Sequence, residues 1–184
     1  MHKIIEDLNW RYATKQFDPT KKLTQEQLDV LKESMRLSAS SYGLQAFKVL
    51  QIDDPELRQK LMVASYGQQP VVDASHLFVF CANTEVVEAD VHNYMNLISE
   101  TRGTDKKDLA PFANGIITSL EHKTKNEING WTAKQTYIAL GQLLHTCASL
   151  RVDALPMEGF DPNSYNEILN LGASNLTATL ACPV

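Results

Sequence analysis

The stretch Ala154-Leu155-Pro156-Met157-Glu158-Gly159-Phe160-Asp161-Pro162 follows an apolar run and has the periodicity of neither a helix nor a strand interior. Its last two residues indicate the start of a helix, with Asp161 as the N-cap and Pro162 in the first turn. That helix start leaves the residues from Pro156 to Gly159 unexplained. A second irregular stretch, Arg11-Tyr12-Ala13-Thr14-Lys15-Gln16-Phe17, lies near the beginning of the chain and has two cations followed by an aromatic residue.

The two cations of the second stretch, Arg11 and Lys15, are four residues apart. On a helix they would lie on one face, where like charges cost about 0.2–0.5 kcal/mol unless an anion lies between them. If the chain leaves the helix near Ala13, both side chains could instead converge on one ligand. A solvated basic edge is the commoner interpretation of such a pair taken alone.

The composition predicts one compact domain over residues 1–184, because 184 residues with 43% apolar content can bury a sizeable core. The formal net charge of -5 argues against nucleic acid or an anionic membrane as the main partner, so an anion-binding site must be a local concentration of cations. No stretch approaches the roughly 20 apolar residues that span a bilayer, and the N-terminus lacks an apolar core of signal-peptide length. We therefore expect a cytoplasmic protein.

The sequence lacks the common motifs of nucleophilic, metal-dependent and phosphate-loop chemistry. It has no GxSxG and no HExxH, and its five histidines are too scattered to suggest a metal site. The three cysteines, Cys81, Cys147 and Cys182, each lie in an apolar run without any CxxC, so we expect buried free thiols. Because the eight glycines form neither GxGxxG nor GxxxxGK followed by Ser or Thr, a nucleotide-type cofactor would have to be held by side chains and irregular backbone.

Helical periodicity recurs along the chain, and several predicted helices have recognisable ends. Thr24 begins a capping box whose helix should end near Leu37, and Asp54-Pro55 is typical of a helix start, with Gly67 as the matching C′ residue. Residues 1–12 predict a short amphipathic helix with Ile4, Ile5 and Leu8 on one face. Further helices are expected in two segments of 84–126 joined near Gly103, over 131–150, and from Pro162 to before Gly172.

Apolar runs predict the strands. Lys48–Ile52 is typical of a short strand, and His76–Ala82 is apolar on both faces, which indicates a covered central strand. Val152–Leu155 is a further short segment, and a last strand should begin at Thr177. The helix over 131–150 is apolar on most faces, so it should be buried and could also lie at a subunit interface. Because strands and helices mix without strict βαβ alternation, we expect an α+β fold.

Five blocks of the sequence occur in an order that resembles one known family. Arg11–Phe17 looks like a segment R-x-S-x-R/K-x-F, and Ser40–Phe47 is similar to a loop S-S-x-N-x-Q-P-W/F. The other blocks are Gly67–Pro70 followed by Asp73–His76, then Lys134–Gly141, then Leu155–Phe160. Each block alone is a weak signal, whereas five in order over nearly the whole chain are a strong one. On these motifs the chain resembles the FMN-dependent nitroreductase family.

The resemblance implies a fold and an assembly. The expected fold is a nitroreductase-like α+β domain in which helices flank a central, mostly antiparallel sheet. The resemblance further implies a homodimer with FMN at the interface, much of it formed by the long helix over 131–150. Relatives continue past the position of Val184 into a tail that wraps the partner subunit and carries basic residues for the FMN phosphate. Either such a tail lies beyond residue 184 or the protein lacks these contacts, in which case FMN should bind weakly.

The resemblance also implies which residues hold FMN. Arg11 and Lys15 would contact its phosphate, ribityl chain and pyrimidine edge, and the loop Ser40–Gly43 would reach the flavin from the partner subunit. The turn Pro156–Gly159 would pack on one face of the isoalloxazine, with the backbone N–H of Glu158 or Gly159 near N5. The implied cofactor-binding residues are Arg11, Tyr12, Ala13, Lys15, Ser40, Ser41, Gly43, Gln69, Pro156, Met157, Glu158 and Gly159.

The implied activity is that of an FMN-dependent oxidoreductase that transfers hydride from NADH or NADPH in a ping-pong cycle, with nitroaromatics, quinones or flavins as acceptors. A cation such as Lys15 would stabilise the anionic reduced flavin, and a backbone donor at N5 would assist the arrival and departure of hydride. The protein then needs no acid, nucleophile or metal of its own. Two alternatives stay open: a flavin-binding carrier or sensor without efficient turnover, and a structural dimer without cofactor.

Some positions depart from the family pattern. Ala13 replaces a hydroxyl residue, which removes a phosphate hydrogen bond of about 1 kcal/mol. Gly43 stands where many members have Asn. The walls of the acceptor site are expected mainly within 84–126, although an apolar helix face that packs on the core is the commoner role for such residues. The candidates for these walls are Ile116, Ile117 and Trp131.

Overall fold

The computed structural model describes residues 2–184. Its helices are α1 (Lys3–Trp10), α2 (Gln25–Arg36), α3 (Pro55–Ala64), α4 (Pro70–Asp73), α5 (Glu88–Arg102), α6 (Lys106–Glu121), α7 (Lys125–Leu150) and α8 (Pro162–Ile168). Its strands are β1 (Phe47–Ile52), β2 (Leu77–Asn83) and β3 (Leu176–Pro183). Short 3-10 turns span Ser41–Gly43 and Leu171–Ser174. A helix-rich chain around a small antiparallel sheet confirms the predicted α+β class.

The sheet has the order β1-β2-β3 with both pairs antiparallel, so the predicted central strand is β2. Leu77 pairs with Ile52 on one side and with Pro183 on the other. Successive side chains of a strand point to opposite faces, and both faces of β2 are covered. Phe78 and Phe80 join a core with residues of α2 and α7, whereas Leu77, Val79 and Cys81 join a core with residues of α3 and α8.

The longest helix, α7, packs on α2 and across β2. It begins at Lys125, six residues before the predicted start, because Thr124 and Glu127 form a capping box. Its inward face buries Ala139, Leu140, Leu143 and Cys147. Tyr137 and Ile138 point outward and are 47% and 46% exposed. One face of this helix is therefore buried in the single chain, as predicted, and the role of the other face at a subunit interface stays a prediction.

The end of α3 differs from the prediction that Gly67 is its C′ residue. Ser65 is the C-cap, and Tyr66 takes the left-handed conformation of the C′ position, with φ 56°. Tyr66 N–H bonds to Val63 O at 3.2 Å and Gly67 N–H to Met62 O at 3.0 Å, which is the Schellman arrangement. A tyrosine thus occupies the position that most often takes glycine, and Gly67 follows it.

Helix α1 ends at Trp10, slightly earlier than predicted. Its apolar residues Ile4, Ile5 and Leu8 are 46%, 48% and 45% exposed, so they do not pack on the core of this chain. Asp7 is buried and forms ion pairs with Lys3 at 2.7 Å and with Arg151 at 2.9 Å. These ion pairs hold α1 near the C-terminal end of α7, and the apolar side chains of α1 remain exposed.

The cysteines are buried free thiols, as predicted. Burial raises the pKa of Cys81 and of Cys147 to about 12. Between residues 2 and 184, no helix combines the length and the apolar character needed to cross a membrane. The same residues contain no group of three or more His, Cys, Asp or Glu side chains placed to hold a metal ion.

Candidate functional site

The two irregular stretches, which are more than a hundred residues apart in sequence, meet in the structure. Ala13 forms an isolated parallel bridge with Ala154, and Thr14 Oγ1 donates to Asp153 Oδ1 at 2.9 Å. The chain leaves helix α1 at Arg11, so the second stretch is extended where it reaches this bridge. The structure therefore makes neighbours of the two segments that sequence analysis singled out.

The turn after Ala154 is anchored to the edge of the sheet. Leu155 N–H donates to Pro183 O at 3.0 Å, and Met157 exchanges two backbone hydrogen bonds with Ala181 at 2.8 and 3.0 Å. Further along, Asp161 N–H donates to Ala64 O at 2.8 Å. The residues between Met157 and Asp161 are thus held at both ends. Asp161 caps α8 with Pro162 in its first turn, as predicted.

Two consecutive backbone donors are left over inside this anchored turn. Within residues 2–184, the N–H groups of Glu158 and Gly159 have no acceptor. Both residues are exposed. Adjacent unpaired N–H groups on a fixed turn can bind an electron-rich or anionic ligand atom without reorganisation.

A cavity of about 530 Å³ lies beside this turn. Its size falls in the range of about 300–1,000 Å³ that is common for small-molecule sites. The lining residues are Lys15, Gln16, Phe17, Gln68, Gln69, Pro70, Asp73 and Leu155. Gln68 joins the cavity to the turn, because its Nε2 donates to Gly159 O at 2.6 Å. The cavity thus unites three of the predicted blocks: 11–17, 67–76 and 155–160.

The cations near the cavity form no ion pair among the residues that the structure describes. Within residues 2–184, neither Arg11 nor Lys15 has an ion pair or a side-chain hydrogen bond. Lys15 is exposed and lines the cavity, whereas Arg11 is half-buried at the end of α1 and is not among the lining residues. The acid in the cavity, Asp73, accepts a hydrogen bond from Gln69 Nε2 at 2.9 Å. An anionic ligand would find at least one unpaired cation here.

The other predicted contacts are distributed around this cavity and away from it. Tyr12 is 63% exposed, and Ala13 is partly buried in its bridge with Ala154. Pro156 and Met157 belong to the anchored turn, and Met157 is buried at 4% exposure. None of these four lines the cavity within the described chain, so their roles as cofactor contacts stay predictions.

The predicted loop at Ser40, Ser41 and Gly43 lies elsewhere. Among residues 2–184, those that line the 530 Å³ cavity do not include this loop. Gly43 instead lines a separate cavity of about 290 Å³ together with Asn83, Asp90, Asn93 and Tyr94. The single chain therefore does not bring the loop to Lys15, which agrees with the expectation that this loop serves a partner's site but does not test it.

The loop has an unusual backbone that neighbouring side chains hold in place. Tyr42, Gly43 and Gln45 have φ values of 58°, 76° and 49°. Ser41 N–H donates to the buried Gln135 Oε1 at 2.8 Å, and Gln45 N–H donates to Ser40 Oγ at 3.0 Å. A Cβ atom on Gly43 would clash with the Tyr94 hydroxyl. Non-glycine residues persist in this region only when the surroundings over-determine them.

Sequence analysis missed the side chains that hold the loop and the turn. Gln135 lies on the buried face of α7 and bonds the loop. Tyr137, two residues further along and on the exposed side of α7, donates from its hydroxyl to Glu158 Oε1 at 2.8 Å. Burial, then the hydrogen bond and charge of Glu158, raise the pKa of Tyr137, so it stays protonated. No local pattern marked Gln135, because α7 carries other polar residues such as Thr132 and Gln142.

The candidate wall residues divide into two groups. Ile116 is 1% exposed and packs in a core with residues of α5, so its role is structural. Trp131 is partly buried and contacts the ring of Tyr42 at a centroid distance of 6.2 Å, and Phe112 contacts Tyr42 at 6.5 Å. Tyr42 and Phe112 are 40% and 42% exposed. An aromatic cluster with exposed rings therefore lies at the loop, and Ile117 is partly buried against the core that contains Ile116.

These features fit the flavin nucleotide that the sequence predicted. A nucleotide phosphate or a reduced flavin ring is anionic and needs a cation, which Lys15 and Arg11 can supply. The flavin ring needs a hydrogen-bond donor at its reactive nitrogen, and within residues 2–184 the Glu158 and Gly159 N–H groups are unpaired. No glycine-rich phosphate loop is required for this mode of binding.

A model of the nitroreductase family matches residues 8–184. The Major NAD(P)H-flavin oxidoreductase of Aliivibrio fischeri is 35% identical over 173 residues, which cover 91% of this chain and 79% of that protein. A Staphylococcus epidermidis protein named as an NAD(P)H nitroreductase is 34% identical over 171 residues, covering 91% and 78%. The chain belongs to the nitroreductase family.

Solved structures show the same fold. The Bacillus subtilis protein YdfN, described as a nitroreductase, has a TM-score of 0.89 at 18% identity, covering 98% of this chain and 86% of that one. An Exiguobacterium sibiricum protein described as a nitroreductase in complex with FMN has a TM-score of 0.86 at 16% identity, with coverages of 98% and 86%. The nitroreductase-like fold predicted from the sequence is confirmed.

Proposed function

We propose that this chain is an FMN-dependent NAD(P)H oxidoreductase that reduces nitroaromatics, quinones or flavins. The flavin oxidoreductase activity and the cofactors FMN and NAD(P)H agree with the family and with the names of its relatives. The observation that carries the proposal is the pair of unspent N–H groups at Glu158 and Gly159, beside a cavity lined by the unpaired cation Lys15. These groups match the needs of a flavin at its two reactive edges.

FMN, when bound, supplies the ring that accepts a hydride from NAD(P)H and passes two electrons to an acceptor. The chain's own residues bind and orient. Lys15 would place a positive charge near the ring, and a cation there would favour the anionic reduced form. The turn Pro156–Gly159 fixes two backbone donors, and fixed donors stabilise developing charge without the cost of reorganisation.

We further propose a ping-pong order for the two substrates at this site. Within residues 2–184, the cavity contains no histidine and no cysteine, and Asp73 is engaged by Gln69. If one open ring face serves both partners, NAD(P)H must leave before the acceptor enters. The aromatic cluster of Tyr42, Phe112 and Trp131 is the proposed acceptor wall, because its exposed rings can stack on a planar acceptor.

We further propose a homodimer with FMN at the interface, located in the cytoplasm, where NADH and NADPH are supplied. Large apolar side chains on α1 and α7 are about half exposed in the single chain, and patches of this kind mark interaction sites. They are Ile4, Ile5, Leu8, Tyr137 and Ile138. Light scattering should give a mass near twice 20.6 kDa. The substitution Ile138→Lys should reduce that mass by introducing an unpaired charge.

A visible spectrum of the purified chain with added FMN tests the activity. Anaerobic NADH, then NADPH, should bleach the flavin bands, and an added quinone should restore them. A bound flavin that neither nucleotide bleaches would contradict the reductase and support the carrier or sensor. Failure to bind added FMN, even at high concentration, would contradict both and support the structural dimer without cofactor. Double-reciprocal plots at several acceptor concentrations should be parallel, and intersecting lines would contradict the ping-pong order.

A further inference from the structure

Two side chains from different parts of the fold hold the turn that carries the unpaired N–H groups of Glu158 and Gly159. Beyond Met157 the turn makes no further ladder hydrogen bonds to β3. Gln68, from the α3–α4 connection, donates to Gly159 O at 2.6 Å. Tyr137, from α7, donates to Glu158 Oε1 at 2.8 Å. Each of the two residues that present a free N–H is therefore held by one side-chain hydrogen bond.

The contact from Tyr137 is the more informative of the two. Gln68 acts on a backbone carbonyl, so it restrains the peptide directly, whereas Tyr137 acts on the end of the Glu158 side chain. A carboxylate that accepts from a phenol forms a charge-assisted hydrogen bond, which is shorter and stronger than a neutral one. The phenol keeps its proton at neutral pH, because the ordinary pKa of tyrosine is about 10 and burial and Glu158 raise it further. The restraint is thus present under the conditions of catalysis.

The contact also links the turn to a rigid element. Tyr137 lies in the middle of α7, whose neighbouring residues Thr136 and Ala139 are fully buried. Thr136 Oγ1 is bonded in turn by Thr179 Oγ1 of β3, at 2.9 Å. The phenol therefore projects from a helix that is fixed on the same strand to which the turn is anchored. Glu158 is thus held by a hydrogen bond from the helix, and Met157 is held by hydrogen bonds to the sheet.

We propose that Tyr137 is a positioning residue, which holds the Glu158–Gly159 donors in place for the flavin through its hydrogen bond to Glu158. This inference rests on the proposed function for its effect on the reaction, but the restraint on the turn exists without cofactor. Tyr137 itself does not need to touch the reacting atoms. Small displacements of a fixed donor are costly, since removing one such donor outright lowers rates by about 10²–10³-fold in other enzymes.

The test compares the full chain with its Tyr137→Phe variant, which loses only the hydroxyl. Backbone ¹⁵N relaxation of Glu158 and Gly159, with and without FMN, should show order parameters falling from about 0.85 to below about 0.6. Flavin bleaching at saturating NADH should slow by about tenfold, with the KM for NADH unchanged, as expected for a contact that acts on the reaction and not on nucleotide binding. Gln68→Met should loosen Gly159 in the same way.

Thr146→Val is the matched control, because it also removes one hydroxyl from α7, and within residues 2–184 that hydroxyl bonds only the carbonyl of Gln142 in its own helix. It should leave the order parameters and the bleaching rate unchanged. Unchanged order parameters in Tyr137→Phe would overturn the inference, even if bleaching slowed, since Tyr137 would then act directly. A mobile turn with an unchanged rate would also overturn it. If neither nucleotide bleaches the parent chain, the proposed function fails, and the relaxation data still decide whether Tyr137 holds the turn.

Discussion

The loop Ser40–Gly43 and the turn Pro156–Gly159 are both predicted to reach FMN, yet they are built in opposite ways. The loop has positive φ values at Tyr42 and Gly43, as has Gln45 just after it, and its unusual backbone is held by side chains of α5 and α7. The turn has no positive φ and is held by the sheet, but it leaves two donors unpaired. The loop has a strained backbone, whereas the turn has two unpaired hydrogen-bond donors. Changes near the loop should therefore affect stability first, and changes near the turn should affect cofactor binding first.

The largest effect is expected for Gly43→Ala. The new Cβ would meet the Tyr94 hydroxyl on a backbone with φ 76°, so left-handed strain and overpacking add to a loss of about 2–4 kcal/mol in the free energy of unfolding. Gly67→Ala is the control, because Gly67 has φ 77° and nothing within 4 Å of its Cβ position. It should cost only the strain, about 1–2 kcal/mol. Equal losses in urea unfolding would show that Tyr94 does not shape the loop.

Gln135→Leu should come next, with a loss of about 2 kcal/mol. It leaves Ser41 N–H without the acceptor that holds the loop on α7, and an unsatisfied buried donor costs about 1–3 kcal/mol. Gln142→Leu, on the exposed side of the same helix, should change the free energy of unfolding by less than about 0.5 kcal/mol. If both variants unfold at the same urea concentration, the Gln135 hydrogen bond does not stabilise the loop.

On the turn side, Lys15→Met should leave stability unchanged and weaken FMN binding by about tenfold. Lys15 is exposed and has no ion pair within residues 2–184, so the folded chain loses no contact, whereas a bound anion loses a charge-assisted one. Fluorescence titration of FMN measures the change, and salt should reduce the difference between variant and parent. Lys60→Met, which alters another exposed lysine, should not change the affinity. An unchanged Kd for Lys15→Met would exclude this cavity as the FMN site.

The smallest effect is expected for Tyr66→Gly, which should raise the free energy of unfolding by about 0.5–1 kcal/mol. Tyr66 is 75% exposed at the left-handed C′ position of α3, so glycine relieves strain and loses little contact. This variant separates ordinary helix-end strain from the strain of the loop. Destabilisation in thermal unfolding would indicate that the Tyr66 ring has a contact beyond the single chain.

The helices and strands were largely predictable, because their caps and periodicity are local. Thr24, Asp54 and Asp161 cap the helices that they were expected to begin, and β2 is the covered central strand. The start of α7 was wrong because the capping box at Thr124 lies in a polar region that the apolar pattern does not reach. The predicted end of α3 was wrong by one residue. Glycine is the commonest C′ residue but not the only one, and in this helix the Schellman hydrogen bonds place Tyr66 at C′.

The site was predictable as a set of segments and not as a set of contacts. Motif order pointed to Lys15, Gln69 and the turn, and the structure brings these together. The side chains that hold them, Gln68, Tyr137 and Gln135, act across distances in sequence that no local pattern encodes. The exposure of one side of α7 could not be predicted either, since the sequence pattern of apolar residues is the same whether they face the core or another molecule.

The three buried cysteines have a consequence for the working life of the protein. Quinones and the partly reduced products of nitroaromatics are electrophiles that alkylate sulfur, and only the thiolate reacts readily. With a pKa of about 12, Cys81 and Cys147 are almost entirely protonated at neutral pH, and burial raises the pKa of Cys182 as well. We therefore expect these thiols to react slowly with the proposed acceptors. A single cysteine introduced on its surface would therefore be the one site that a maleimide label modifies.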